Sequence, residues 1–366
     1  MKIKKIYAVS MAIIMGLALC ACAGQTKNEM QKEASVMRTI KDSMEREVEI
    51  PDMLDSIVCI GVGALRYSCY MDAQDLVIGV EDYETEKGMS RLYNYVNYDK
   101  FKDLPVIGSN GEPNVEEIIK VSPQVIVMSS YANIEADDLQ AKVDIPVVVV
   151  PGSDTTLDDK AYETIRIMGE LYGKEERAEK LTAYLKEIEK DLDSRTSNIS
   201  EEEKPSVYVG GVSFKGVHGF EGTEAYYGPF ELIHAKNLAN ETDQKGAFDA
   251  DLEKVLSWNP DIIFLDFNGM SLINENYVNN EEYYKNLSAV KNGNVYSQIS
   301  FRSWSSNLET ALADAYYAAS VIYSEQFADL NLEEKVGEIF MELLGVNPYD
   351  DLKEAGYEFR QITIGE

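Results

Sequence analysis

The residues best able to do chemistry are cations and aromatic rings that follow short apolar runs. Arg66 and Tyr67 come after "IVCIGVG", Asn110 after "LPVIGS", and Ser130 and Tyr131 after "QVIVM". The second half repeats the habit with Phe214, Lys215 and His218 in "GGVSFKGVHG", Tyr226 and Tyr227 in "EAYYGPF", Asn268 in "DFNG", and Arg302 and Trp304 in "FRSWSSN". A guanidinium offers planar, forked donors to an anion, and aromatic faces supply contact area, so the set suits an anionic, partly aromatic chelate. Simpler roles compete at several positions. Tyr226 and Tyr227 open a helix-like segment, where one of them can be core; Arg66 and Arg302 can pair with local acids; His218, between Val217 and Gly219 in a glycine-rich loop, can touch ligand or metal. His234 in "FELIHAKN" sits on a helical pattern and reads as structural.

Other chemistries find little footing. The glycines of "GGVSFKGVHG" lack dinucleotide spacing, and neither a nucleophile elbow nor an HExxH motif occurs. After Cys22 only Cys59 and Cys69 remain; they fit no CxxC or zinc spacing and read as buried free thiols rather than a disulfide. That number of cysteines would not hold an iron–sulfur cluster. A net charge of −30 argues against nucleic acid, because phosphate binding needs clustered Lys and Arg. The balance of 45% hydrophobic and 27% charged residues is that of a soluble globular protein and excludes a multi-span transporter. The chain reads as a binder, not an enzyme, with no cofactor and no catalytic or resident metal residues assigned.

Elements must carry these residues into one place. "DSIVCIGVG", "DLVIGVE", "QVIVMSS" and "IPVVVVPG" alternate with helix-like segments, and the alternation returns in "SVYVGGVS", "DIIFLDF" and "NVYSQIS". Such alternation predicts βαβ units around parallel sheets, with ligands beyond the carboxyl ends of the strands. Leu157 to Arg195 contains no proline and predicts a helix on the order of 50 Å long at about 1.5 Å per residue, unless the Tyr172-Gly173-Lys174 step bends or breaks it. The expected fold is α/β: two Rossmann-like lobes with mostly parallel sheets, joined by one long α-helix. The expected boundaries are a lipoprotein signal peptide over 1–22, a flexible tether over 23–40, an N-terminal lobe over 41–156, the inter-lobe helix over 157–196 and a C-terminal lobe over 197–366. Both lobes write one pattern: "NVEEIIKVSPQVIVMSS" puts Glu116 seven residues before Pro123, and "DLEKVLSWNPDIIFLDF" puts Glu253 seven before Pro260.

Taken with "DSMEREVEIP", "VCIGVGALRY", "LPVIGSNGEPNVEEIIKVSPQVIV", "LSAVKNGNVY" and "ETALADAYYAASVIYSEQF", these stretches resemble the periplasmic binding proteins of iron-complex and cobalamin ABC importers, the class whose lobes share a single linking helix. The likeness runs from about Asp42 to Leu344. It implies a monomer that captures a small-molecule metal chelate, such as a ferric siderophore or haem, in the inter-lobe cleft and hands it to an ABC permease with a cytoplasmic ATPase. Molybdate or tungstate is the alternative cargo, for which backbone amides and small polar side chains would suffice. Glu116 and Glu253 fall where the family docks a glutamate of each lobe onto permease arginines; first-turn acids that favour the helix dipole are the simpler reading.

The N-terminus predicts where such a protein would sit. "MKIKK" and the apolar "IYAVSMAIIMGLAL" have signal-peptide form, and "LCAC" resembles a lipobox with Cys22 as the lipidated residue; Leu19 is too bulky to precede a cut at Cys20. Two or three acyl chains anchor stably without spanning the membrane. Cys22→Ala should therefore move the protein from membrane to soluble fractions while Cys20→Ala leaves it attached, and the reverse pattern in a fractionation blot would put the lipid on Cys20.

Overall fold

Val147–Val150 and Ile262–Asp266 are buried at every position, as expected of strands covered on both faces. The computed structural model describes residues 36–152 and 156–366; Cys20, Cys22, the signal-like run and most of the predicted tether lie outside the described residues. The chain enters with an antiparallel hairpin of β1 (Met37–Lys41) and β2 (Glu47–Pro51), so ordered strand begins four residues before the expected lobe boundary at 41. The first lobe is a six-stranded sheet in the order β6-β5-β4-β3-β7-β8, built from β3 (Ile57–Ile60), β4 (Val77–Glu81), β5 (Val106–Ser109), β6 (Glu112–Pro113), β7 (Val125–Ser129) and β8 (Val147–Val150). Every pairing in it is parallel except β5 with β6. Its helices are α1 (Ala64–Tyr70), α2 (Leu92–Phe101), α3 (Val115–Val121) and α4 (Ala136–Val143).

The proline-free segment forms two helices. In α5 (Asp159–Tyr172) the Asp158 carboxylate accepts from the Ala161 amide at 2.8 Å, and the helix ends at Gly173 with φ +63°, a left-handed terminus that glycine adopts without steric cost. Arg38 of β1 donates to the Glu170 and Leu171 carbonyls of the last helical turn at 2.9 and 2.8 Å. The next helix, α6 (Glu175–Thr196), about 33 Å long, buries Ala178, Leu181, Leu185, Ile188 and Leu192 at three- and four-residue steps, one apolar stripe along about 21 Å. Because α5 packs on β8, α1 and β1, the crossing to the second lobe falls to α6 alone.

In the second lobe β9 (Ser206–Gly210), β11 (Lys236–Asn237), β13 (Ile262–Asp266) and β14 (Val295–Gln298) make a parallel sheet in the order β11-β9-β13-β14, and β10 (Gly222–Ala225) pairs antiparallel with β12 (Gly246–Asp249). The helices are α7 (Gly228–Glu231), α8 (Leu252–Trp258), α9 (Met270–Asn286), α10 (Ser288–Asn292), α11 (Leu308–Ile322), α12 (Leu332–Leu344) and α13 (Tyr349–Glu354). The duplicated pattern is one structural unit: α3 and α8 have seven residues each, start on side-chain caps Asn114 and Asp251, end at left-handed Ser122 and Asn259, and feed the buried strands β7 and β13 through Pro123 and Pro260.

Several strands end in buried acids that tie down the following loops. Glu81 closes β4 and accepts the Gly61 and Gly111 amides at 2.8 and 2.6 Å, joining loops after β3 and β5. Asp266 closes β13; its Oδ1 accepts the Asn268 amide at 2.9 Å and the Ser300 hydroxyl. Burial pushes the Asp266 carboxyl up to about 7, and nearby Glu224 adds to the rise. A folded-state proton that the unfolded chain has already released makes stability fall as pH rises from the ordinary carboxylate range to about 7, by about 1.4 kcal/mol for each pH unit over which the proton difference persists. Asp266→Asn keeps the Oδ1 acceptor and removes the titration. Denaturant unfolding at pH 4 to 8 should show a shallower loss of stability in this variant, and an unchanged slope would remove Asp266 as a cause.

Candidate functional site

One contact between the lobes is the loop between β14 and α11; α12 also packs on α1 and α2 of the first lobe. Arg302 and Ser306 form an isolated antiparallel bridge, and between them Trp304 and Ser305 hold φ values of +51° and +70°, two consecutive non-glycine residues in the left-handed region. Arg302 comes from the second lobe and is held by Glu224 of β10 in a two-point fork, with Nε to Oε2 at 2.6 Å and Nη2 to Oε1. Glu224 is 1% exposed, so the pair is substantially desolvated and its geometry fixed. The Trp304 ring stacks on Tyr83 of the first lobe at 4.0 Å and 7°, yet stays 39% exposed. Ser303 and Ser90 share a hydroxyl contact at 3.1 Å, and Tyr70 bonds the buried Glu309 carboxylate. A further meeting point is Gly228, where any Cβ would overlap the Thr156 hydroxyl.

Burial distinguishes the remaining expected residues. Arg66, Tyr67 and Tyr227 are 1%, 2% and 0% exposed. The Arg66 guanidinium donates to loop carbonyls; Tyr227 donates to the Gln298 carbonyl oxygen at 2.7 Å and packs its ring against Phe230 and Phe301. Tyr67 has a buried hydroxyl with no hydrogen-bond partner among the described residues, and burial pushes its ionisation up. Tyr226, 51% exposed with φ +59°, donates its amide to Asn240 and leaves its ring outside. Asn110 and Ser130 are exposed on first-lobe loops, with Tyr131 half-buried against Gly152. Asn268 is half-buried, its amide bonded to Asp266 and Ser300.

The "GGVSFKGVHG" loop folds onto itself. Phe214 and His218 stack at 3.8 Å and 9°; His218 Nδ1 lies 2.7 Å from Asp249 and Nε2 lies 2.8 Å from the Phe214 carbonyl, so both ring nitrogens brace the loop. Lys215, exposed with φ +51°, stands at its tip. His234 lies 2.9 Å from Asp193 of α6, a structural link. Among the described residues no group of three or more His, Cys, Asp or Glu is arranged to hold a metal ion, and no helix is long and apolar enough to cross a membrane. Cys59 and Cys69 are free and buried.

Glu116 and Glu253 are exposed in the first turns of α3 and α8, and among the described residues neither enters an ion pair, whereas Glu117 pairs with Lys120 at 3.0 Å. The residues that sequence reasoning missed are Glu81, Tyr83, Ser90 and Glu224. An acid closing an apolar run, as in "VIGVE", was a readable signal for Glu81; nothing local marks Tyr83 or Glu224, whose partners lie far along the chain.

Comparisons with known proteins agree with this architecture. Residues 78–298 match the family model Peripla_BP_2, periplasmic binding protein. The molybdate-binding protein MolA of Haemophilus influenzae is 24% identical over 325 residues, covering 83% of this chain and 90% of that one; its molybdate-bound structure superposes with a TM-score of 0.65 over 85% of this chain and 98% of that one. The petrobactin-binding protein YclQ of Bacillus subtilis is 20% identical over 300 residues, covering 80% and 90%. A periplasmic solute binding protein from Veillonella parvula, 19% identical, superposes with a TM-score of 0.67 over 85% of this chain and 94% of its own. The chain belongs to the periplasmic binding protein family, whose members bind solutes for ABC transport and are not enzymes.

Proposed function

We propose that this substrate-binding protein captures a ferric chelate, a siderophore or haem, between its lobes and presents it to an ABC permease while held at the membrane by lipid on Cys22. The observation that carries the reading is the cross-lobe aromatic pair of Trp304 and Tyr83, two residues beyond the fixed guanidinium of Arg302. Aromatic faces beside a cation suit a flat or catecholate-bearing anion better than a small sphere. Relatives described as binding petrobactin, ferric citrate and haem support the same reading. Ser130, Tyr131, Asn110, Lys215, Tyr226 and Asn268 would complete the contacts from the surrounding loops. Molybdate or tungstate is the second reading, favoured by the likeness to MolA over 90% of that protein.

The two tryptophans separate these readings. Trp258 lies on α8, away from the lobe contact, whereas Trp304 lies at it. A ferric chelate absorbs light and quenches a nearby indole; an oxyanion perturbs it weakly. Strong saturable quenching by ferric citrate, a ferric siderophore or haem should survive Trp258→Phe and be mostly lost in Trp304→Phe. Saturable binding of molybdate, with no response to any ferric probe, would overturn the chelate reading. Arg302→Ala is a poorer test, since it leaves Glu224 buried without its cation, a cost of about 3 to 5 kcal/mol in its own right.

Exposure of Glu116 and Glu253 on equivalent turns of the two lobes supports a role for both in permease docking. Charge pairs at a rim steer association and fix register more than they add affinity. Glu116→Arg or Glu253→Arg should lower cellular uptake and leave the purified protein's ligand affinity unchanged. Loss of that affinity would put these residues in the cleft instead.

A further inference from the structure

We propose that Arg66 is a positioning residue for the solute site: its guanidinium, presented by α1 of the first lobe, builds the 302–306 loop of the second. This rests on the reading of Trp304 and Arg302 as ligand contacts. It adds that their places depend on a side chain that touches no ligand.

Arg66 reaches across the lobe boundary to carbonyls drawn from a span of four residues. Nη1 donates to Ser306 at 2.9 Å, and Nη2 donates to Ser303 at 3.0 Å and to Trp304 at 2.6 Å. Carbonyls converge on one side chain in this way only because the backbone turns through left-handed Trp304 and Ser305, each unfavourable by about 1 kcal/mol or more for a residue with a side chain. Such a conformation persists where its surroundings over-determine it. The surroundings here are first-lobe groups: Arg66 below the turn, Tyr83 under the Trp304 ring, and Ser90 against Ser303 and Asn307.

The dependence is reciprocal. Arg66 is 1% exposed, and among the described residues it enters no ion pair; its charge meets the loop carbonyls, the Tyr93 ring at 5.0 Å, and the buried Glu309 and Glu84 through space. A buried guanidinium deprived of its acceptors carries a large desolvation cost, so the loop stabilises Arg66 as Arg66 shapes the loop. Lysine cannot substitute, because a single ammonium does not span three carbonyls as a planar fork does.

The test uses the full chain with Trp258→Phe, which leaves Trp304 as the single indole. Arg66→Lys and Arg66→Met are compared with Tyr70→Phe, which removes a hydroxyl bonded to Glu309 and to the Leu308 amide at the same boundary but takes nothing from the turn itself. Below the unfolding transition, the Arg66 variants should shift Trp304 emission to the red and raise its quenching by acrylamide, whereas Tyr70→Phe lowers Tm and does neither. The fluorescence response to ferric citrate, haem or molybdate, whichever the parent gives, should need about tenfold more probe in Arg66→Lys, equivalent to about 1.4 kcal/mol. Unchanged Trp304 emission and accessibility in a folded Arg66 variant, or an equal change in Tyr70→Phe, overturns the proposal.

If neither Arg66 variant folds, hydrogen exchange in the parent decides. The Ser303 and Asn307 amides bond within the loop to the Ser305 and Phe301 carbonyls, and they should exchange as slowly as the amides of α1. Fast exchange there beside a protected α1 overturns the proposal. A parent that answers to none of the probes counts against the solute reading alone, since the Trp304 and exchange measurements need no ligand.

Discussion

A carboxylate buried at the end of a strand must find donors, and here many of the donors are backbone amides of the loops beyond the strands. Glu81 gathers the amides of Gly61 and Gly111, so one side chain fixes the exits of β3 and β5 relative to β4. Asp266 does the same for the turn after β13, and Asp314, reaching from α11, takes the Ile299 amide at 2.9 Å. Glu224 uses the remaining option and takes a guanidinium. The loops after β3, β5, β13 and β14 are thus shaped from below by acids that solvent hardly reaches.

The halves divide the labour unequally. The duplicated helix-to-strand unit gives each lobe the same central strand and the same outward-facing first turn. At the lobe contact, however, the second lobe contributes the protruding loop and the first lobe contributes its seat, made of Arg66, Tyr70, Tyr83 and Ser90. The shared unit accounts for the likeness of the lobes; their sheets, of six and four strands, and their sides of the contact differ.

Much of the scaffold was legible in the sequence because it is written locally. Every apolar run quoted for the two lobes is a strand, since a parallel strand covered on both faces needs an unbroken hydrophobic run. The break at Gly173 was legible as well, and it divides one expected helix into α5 and a shorter bridge, α6. The hairpin that begins at Met37 was missed because "MRTIK" and "EVEIP" are too short and polar to announce it. The candidate site was legible as a set of loops but not as a set of roles. Arg66 and Tyr227 follow apolar runs as exposed residues would, yet both are buried, and only long-range packing turns Arg66 toward a loop some 240 residues away. The link from Arg302 to Glu224 and the stack of Trp304 on Tyr83 belong to the same class of contact that no local pattern encodes.

The two free thiols acquire a meaning from the compartment. Members of this family work outside the cytoplasm, where oxidants reach exposed cysteines and stray pairing is common. Burial pushes the Cys59 thiol up to about 12, with the Ser68 hydroxyl at 3.5 Å as its polar neighbour, and Cys69 is likewise raised by burial. Burial thus disfavours the thiolate, the form that attacks disulfides and is converted to sulfenic acid. Packing that serves the fold therefore also withholds both sulfurs from the thiol chemistry of an oxidising compartment.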